Sequence, residues 1–528
     1  MEVYMSKQLP DRPNLDHLRK QAKELIASYR RGDHEAIERF KQLPGKTGRP
    51  ALHDAQSVVA REYGFDSWRK LVGHVEEVNS KRGITDEVVA NFLRIATGER
   101  QGSLERMLQL YPGLPKHNIQ TGLAFGEVDM VREWLGSHSV DEKLEPLGWR
   151  PLEYVCYSRI SRVLKDRYEP QLECARVLLD AGAEPNTAHN YEGSENAPLP
   201  VLYGATCHAQ HEGIARMLLE RGAKTNDGES IYHSAQLYLP NMLQLLVDHG
   251  GDISGTDPNY GNTPLYFNAG HRVGEPAYAN AMKGCEWLLD HGADPNVRSG
   301  ECLETPMFPA ARHGNTWMVK MLLDHGADPN IRNKDGLTPY MFAAVTGAGD
   351  VLELLAASGA DTSLPGSGQF LADCALGRTD KVHAALRSDP DIVSRLTDRE
   401  RSVICKMAEM GRTIGVKTCL DAGFPSDTRG EENATPLHFA CYCQWADVAS
   451  VLIQAGAPLE IRDATYDGTP LAWVLEGFLW NPNPKGDGIR IVKELLAAGA
   501  SDENLRQRLE TDDGANPKMQ ELVAALGR

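Results

Sequence analysis

Histidines, thiols and carboxylates at ligand-like spacings are the first places to look for chemistry in this chain. His438, Cys441 and Cys443 offer one imidazole and two thiols, the donor types of a soft-metal site. Offsets of 3 and then 2 along one helix cannot aim all three side chains at one ion. His211-Glu212 opens a zinc-hydrolase helix motif, but Ala215 stands where its second histidine belongs. Gly45-Lys46-Thr47 ends like a phosphate-binding loop, yet Phe40 occupies the position of its first glycine. Gly366-Ser367-Gly368 fails as a dinucleotide fingerprint because Leu371 replaces the third glycine. No G-x-S-x-G elbow occurs. The expectation is therefore no catalytic residue, no cofactor and no metal. His208, His211, His271 and His313 remain as the acid–base groups that an enzyme or small-molecule-binding alternative would use. As a bare pair near a helix end, His208 and His211 read as solvated.

The elements that carry these residues repeat. A Gly-Ala-(Asp/Glu/Lys)-(Pro/Thr)-Asn mark recurs at Gly182, Gly222, Gly292 and Gly326, with weaker copies at Gly250, Gly359, Gly456 and Gly499. Each follows a Leu-rich helix end, as in Leu288-Leu289 and Leu322-Leu323, so glycine marks a left-handed stop. A second mark, Thr-Pro, appears at Thr263, Thr305, Thr338, Thr435 and Thr469; threonine caps a helix and proline suits its first position. Asp335-Gly336 and Asp467-Gly468 add tight-turn chemistry just upstream. Gly292 to Gly326 is 34 residues, and Gly326 to Gly359 is 33. Order, motifs and period together resemble the ankyrin repeat, with Thr435–Ala440 reading TPLHFA. The resemblance implies a mainly α fold, a solenoid of helix-turn-helix plus β-hairpin repeats with an N-terminal helical segment. It also implies that His438 hydrogen-bonds between repeats. Degenerate copies at 119–135 and 376–396 bring the number to about twelve.

Residues 1–82 differ. They read as three amphipathic helices over 15–29, 34–43 and 52–78, and resemble the leader of bacterial ankyrin repeat proteins. The expected organisation is a helical leader or N-terminal cap over 1–82, repeats over 83–503 and a capping helix over 504–528. The chain has 528 residues, Lys+Arg 56 and Asp+Glu 73, for a formal charge of −17. Up to Arg82 the balance is +4, so the remainder carries −21. That sign argues against a nucleic-acid binder, whose affinity comes from Lys and Arg displacing counterions. Ten mostly isolated cysteines do not form a disulfide framework, and read as small apolar packing residues. The opening residues lack the apolar core of a secretory signal, and no stretch has the roughly 20 apolar residues of a membrane span. The expectation is a cytoplasmic monomer with a protein partner carrying a basic patch, and with neither nucleic acid nor membrane.

The resemblance places binding on the concave face. Its register makes Trp149, Tyr157, Tyr260, Asn262, Arg312, His313, Lys334, Asp335, Tyr442 and Tyr466 the outward candidates, rich in hot-spot residue types. Helix start to stop is 20 residues in the repeats beginning at Pro306, Pro339 and Pro436, but 31, 28 and 29 in those beginning at Pro151, Pro264 and Pro470. The excess falls at 158–170, 271–280 and 478–488, where extra loop can form a lip on the solenoid.

Overall fold

The structure is a computed structural model that describes residues 7–10, 13–30, 33–41, 50, 52–80, 83–98, 103–190, 198–257, 261–272, 275–480, 483, 486–502, 505 and 521–522. Gly45-Lys46-Thr47, Tyr260 and most of 504–528 lie outside these residues. The N-terminal part holds α1 (Leu15–Arg30), α2 (His34–Lys41), α3 (Leu52–Glu62) and α4 (Trp68–Ser80), packed around Leu18, Leu25, Phe40, Val59 and Leu71. The single helix expected over 52–78 is thus two. Gly64 takes φ +83°, and Phe65 N–H reaches back to Ala60 O at 2.9 Å, the geometry of a glycine stop.

From α5 (Asp86–Thr97) onward the chain forms antiparallel helix pairs in the expected α-solenoid. Met307–Arg312 with Thr316–Asp324, Pro339–Val345 with Gly349–Ala357, and Pro436–Tyr442 with Ala446–Gln454 are representative. Starts follow the Thr-Pro mark: Thr263 Oγ1 accepts from Tyr266 N–H and Thr338 Oγ1 from Met341 N–H. Thr305 is an exception; its buried Oγ1 has no partner, and the helix begins at Met307. Stops follow the glycine mark, with φ +83° at Gly326 and Ala327 N–H on Leu322 O at 2.9 Å. The asparagine of the same mark joins consecutive repeats. Asn296 Nδ2 donates to Gly326 O at 3.0 Å while its Oδ1 accepts from Asp328 N–H at 2.7 Å; Asn330 does the same with Gly359 and Asp361.

Expected β-hairpins are mostly turns. Among the described residues the one ladder pairs Ala188–Asn190 with Pro198–Pro200, and isolated bridges join Leu144 to Trp149 and Ser299 to Glu304. Elsewhere a side chain does the ladder's work: Asp463 accepts from the N–H groups of Thr465, Tyr466 and Gly468 and from Trp473 Nε1.

Two apolar cores divide the solenoid, one running from Val89 to Ala372 and another beginning at Phe370. They meet at the helix Gly368–Ala375, which packs on the helix Thr413–Asp421. Gly415 permits that approach, since a Cβ there would lie 2.8 Å from Ala375 O. The chain then doubles back. Arg272, in the second insertion, reaches Glu409 at 2.5 Å across 137 residues, and Arg399 reaches Asp335 at 2.7 Å. The insertions are less loop-like than expected. The first contains the helical turn Ile160–Val163, and the helix Pro470–Trp480 runs through Phe478, so the third begins later.

Candidate binding groove

Doubling back forms a half-open cavity of about 760 Å³ between the finger ends of both halves. Its apolar lining includes Leu337, Met341, Phe342, Val345, Leu371 and Val403. Charged groups stand around this lining in pairs. Arg312 grips Glu304 through both carboxylate oxygens at 2.7 and 2.8 Å and lies 4.8 Å over the Phe342 ring. Tyr266 Oη donates to the same carboxylate at 3.1 Å. Ser367 Oγ donates to Glu400, and that hydroxyl with Thr397 holds the Glu400 carboxyl below its usual range. Lys406 contacts Glu409 at 2.9 Å and the exposed Glu431 at 3.4 Å. Beyond them, Arg272 and Lys406 together outweigh the burial of Glu409, holding its carboxyl below the usual value.

Of the sequence candidates, Arg312 and Asp335 line this cavity, and Lys334 and Asp335 are exposed. Tyr466 is 70% exposed and Tyr442 half-buried, both with their rings near Trp473. Asn262 is half-buried, with its carbonyl accepting from Tyr232 Oη. Tyr260 lies outside the described residues. Trp149 and Tyr157 do not face outward: they are 5% and 2% exposed, because His189 from the following repeat stacks on Trp149 at 4.0 Å and packs on Tyr157. Glu304, Arg272 and Glu409 escaped the sequence reading. Only the turn-forming context of Glu304, just before Thr305-Pro306, offered a local signal.

The four histidines of the alternative reading are held separately. His211 is fully buried rather than solvated, with Nε2 on Tyr168 O at 2.9 Å and Nδ1 accepting from Ile214 N–H. His208 Nδ1 lies 3.4 Å from Thr97 O, and His271 Nδ1 pairs with Glu275 at 2.8 Å. His313 is pushed down to about 4 by burial, with Arg272 and Arg312 adding to the effect, and its Nδ1 has no partner. His438 bridges repeats as the resemblance implies, from Thr435 to Gly468 O at 3.1 Å. The cysteines are buried, apart from Cys302, which is exposed and lines the cavity. Burial pushes the Cys207 and Cys405 thiols up to about 12, far from a reactive thiolate. Among the described residues no helix is long and apolar enough to cross a membrane.

Comparison with known protein families finds the same repeats in the sequence. A family model described as ankyrin repeats in three copies matches residues 276–365, and the single ankyrin repeat matches 432–464. The ankyrin repeat protein nuc-2 of Neurospora crassa is 30% identical over 157 residues, 28% of this chain and 13% of that protein. The crystal structure of the human ASB11 ankyrin repeat domain is 21% identical, covers 47% of this chain and all of that one, and gives a TM-score of 0.34. The chain therefore contains ankyrin repeats, which generally mediate protein–protein interactions.

Proposed function

We propose that this chain of ankyrin repeats is a non-enzymatic scaffold that takes a protein partner, carrying a basic patch, on the concave side of its solenoid. The supporting observation is the cavity between the doubled-back halves, with an apolar lining and charged groups already oriented by their pairs. Interfaces concentrate their energy in such apolar centres ringed by polar groups. Glu431 and Asp335 on this rim, with −21 over the residues beyond Arg82, favour a positively charged partner. The N-terminal helices, which resemble the leader of bacterial ankyrin proteins, cap the first repeats in this reading. In support, α4 packs near the helix Leu104–Leu110. At the other end, Leu505 and Leu522 are fully buried in the second core, consistent with a C-terminal cap. The test is affinity capture from the native host with elution over a salt gradient. A retained protein should elute between about 0.1 and 0.5 M salt, because screening weakens charge pairing at rims. Retention indifferent to salt would remove the electrostatic part of this reading.

A further inference from the structure

The first insertion carries a feature that the groove does not use. Arg159 lies against the C-terminal end of α5, its guanidinium over Gly98, where a Cβ would come within 2.1 Å of Cζ. Gly98 has φ +86°, so both its conformation and the arginine above it call for glycine there. A helix C-terminus attracts a cation. The last three helix carbonyls are nevertheless engaged: Ile95 O accepts from Gly98 N–H, Ala96 O from Arg159 N–H at 2.8 Å, and Thr97 O faces His208 Nδ1.

Arg159 has no carboxylate partner among the described residues, and its Nε is buried without a hydrogen bond. Other part-buried arginines differ. Arg167 pairs with Glu127, Arg272 with Glu409 and Arg312 with Glu304; Arg412, also with an orphan Nε, is lowered in pKa by burial but has the acid Asp350 acting against it. The neighbours of Arg159 are Arg162, His208 and Tyr203, with no acid among them. The acids on the far side of Tyr203 are committed: Glu229 to His233 at 3.0 Å, and Asp227 to the Ser230 hydroxyl at 2.6 Å. His208 is set by a π-helical turn, Gly204–His208, in which Ala209 N–H reaches Gly204 O at 2.8 Å. Such widened turns recur at functional sites. His189, whose Nδ1 is also buried and unpartnered, packs on Tyr157 4.6 Å away, and Tyr157 in turn lies 5.0 Å from His208.

A part-buried cation without a counter-charge is costly, and the buried Nε–H of Arg159 is a donor that an anion would satisfy. We propose that Arg159, Arg162, His208 and Tyr203 form an oxyanion-binding site that takes the phosphate or carboxylate group of a ligand. The planar guanidinium suits either group, and Tyr203 Oη, which makes no hydrogen bond among the described residues, supplies a further donor. The site is separate from the groove cavity, so either reading can fail alone.

Isothermal titration of the full chain with inorganic phosphate and with acetate, at constant ionic strength, tests it. Saturable binding of at least one anion is expected, weakened at least tenfold by Arg159→Gln and about threefold by Tyr203→Phe. Tighter phosphate binding assigns a phosphorylated ligand; acetate binding of equal strength assigns a carboxylate. Glu99 follows Gly98 in sequence outside the described residues, and Glu99→Gln should leave binding unchanged. No saturable binding by either anion overturns the proposal, as does binding that appears only in Glu99→Gln. Should Arg159→Gln fail to fold, Arg162→Gln and Tyr203→Phe decide: unaltered binding in both overturns it.

Discussion

The Arg312–Glu304 pair shows how a single contact shapes the groove. Glu304 is nearly inaccessible and accepts three hydrogen bonds, two from Arg312 and one from Tyr266. Glu304→Gln leaves Arg312 without its counter-charge and should cost roughly 2–4 kcal/mol in urea unfolding, somewhat below a fully buried pair because Arg312 keeps some solvent. Adding Arg312→Met should restore part of this loss, since an apolar chain can still cover Phe342; equal instability of single and double variants would count against the pairing argument. The sequence pointed to Arg312 and Asp335 because repeat register placed them on the inner side. It could not show Glu409 meeting Arg272, because 137 intervening residues leave no local spacing to read. Trp149 and Tyr157 were misplaced for a related reason: what covers them is His189, contributed by the next repeat.

Helices here are specified twice, by their end marks and by the surfaces they bury. Leu288 and Leu322 are fully buried, so either change to Ala should cost on the order of 2–5 kcal/mol. In a linear array the damage should spread first to neighbouring repeats, which amide exchange would resolve. Glycines inside helices make a stricter claim. A Cβ at Gly284 would lie 2.0 Å from Ala235 O, and one at Gly415 2.8 Å from Ala375 O. Gly→Ala in a helix normally gains about 0.5–1 kcal/mol. At these two positions the backbone clash should reverse the sign, costing about 1–3 kcal/mol; stabilisation in urea unfolding would show that the helices do not approach this closely. Thr-Pro starts and Gly stops made the regular helix pairs legible, whereas the degenerate pair Ile119–Phe125 with Val128–Leu135 lacks Thr-Pro and was legible only from its Gly126-Glu127-Val128 break. Interior glycines were not legible, because their role depends on which neighbouring backbone faces them. Finger ladders were over-read, since Asp463 and its like satisfy the turns with side chains.

The molecule as a whole should be acid-sensitive. Burial is the leading cause that depresses His189, His208, His313 and His438 to about 4 each, against about 6.5 unfolded. Between pH 6.5 and 4 the unfolded chain therefore binds more protons at these sites, and their stabilisation, complete above 6.5, is lost as pH falls. Two histidines oppose this: His233, where Glu229 and other partners outweigh burial, and His325, on Met321 O and Asp290. With more groups depressed than raised, the urea midpoint at pH 5 should lie below that at pH 7.5; an unchanged or higher midpoint would contradict the burial argument. The 33-residue period revealed the solenoid, but its doubling back at Gly368–Ala375 depends on packing between non-adjacent elements, so the groove emerged only from the structure. The claim that this groove takes the partner is tested most directly by parallel capture with two surface variants. Glu431→Lys alters the exposed rim, and Trp317→Ala alters an exposed tryptophan on the outer helix Thr316–Asp324. The account predicts that the rim variant loses the wild-type partner while the outer-helix variant keeps it. Retention by the rim variant with loss by Trp317→Ala would contradict it.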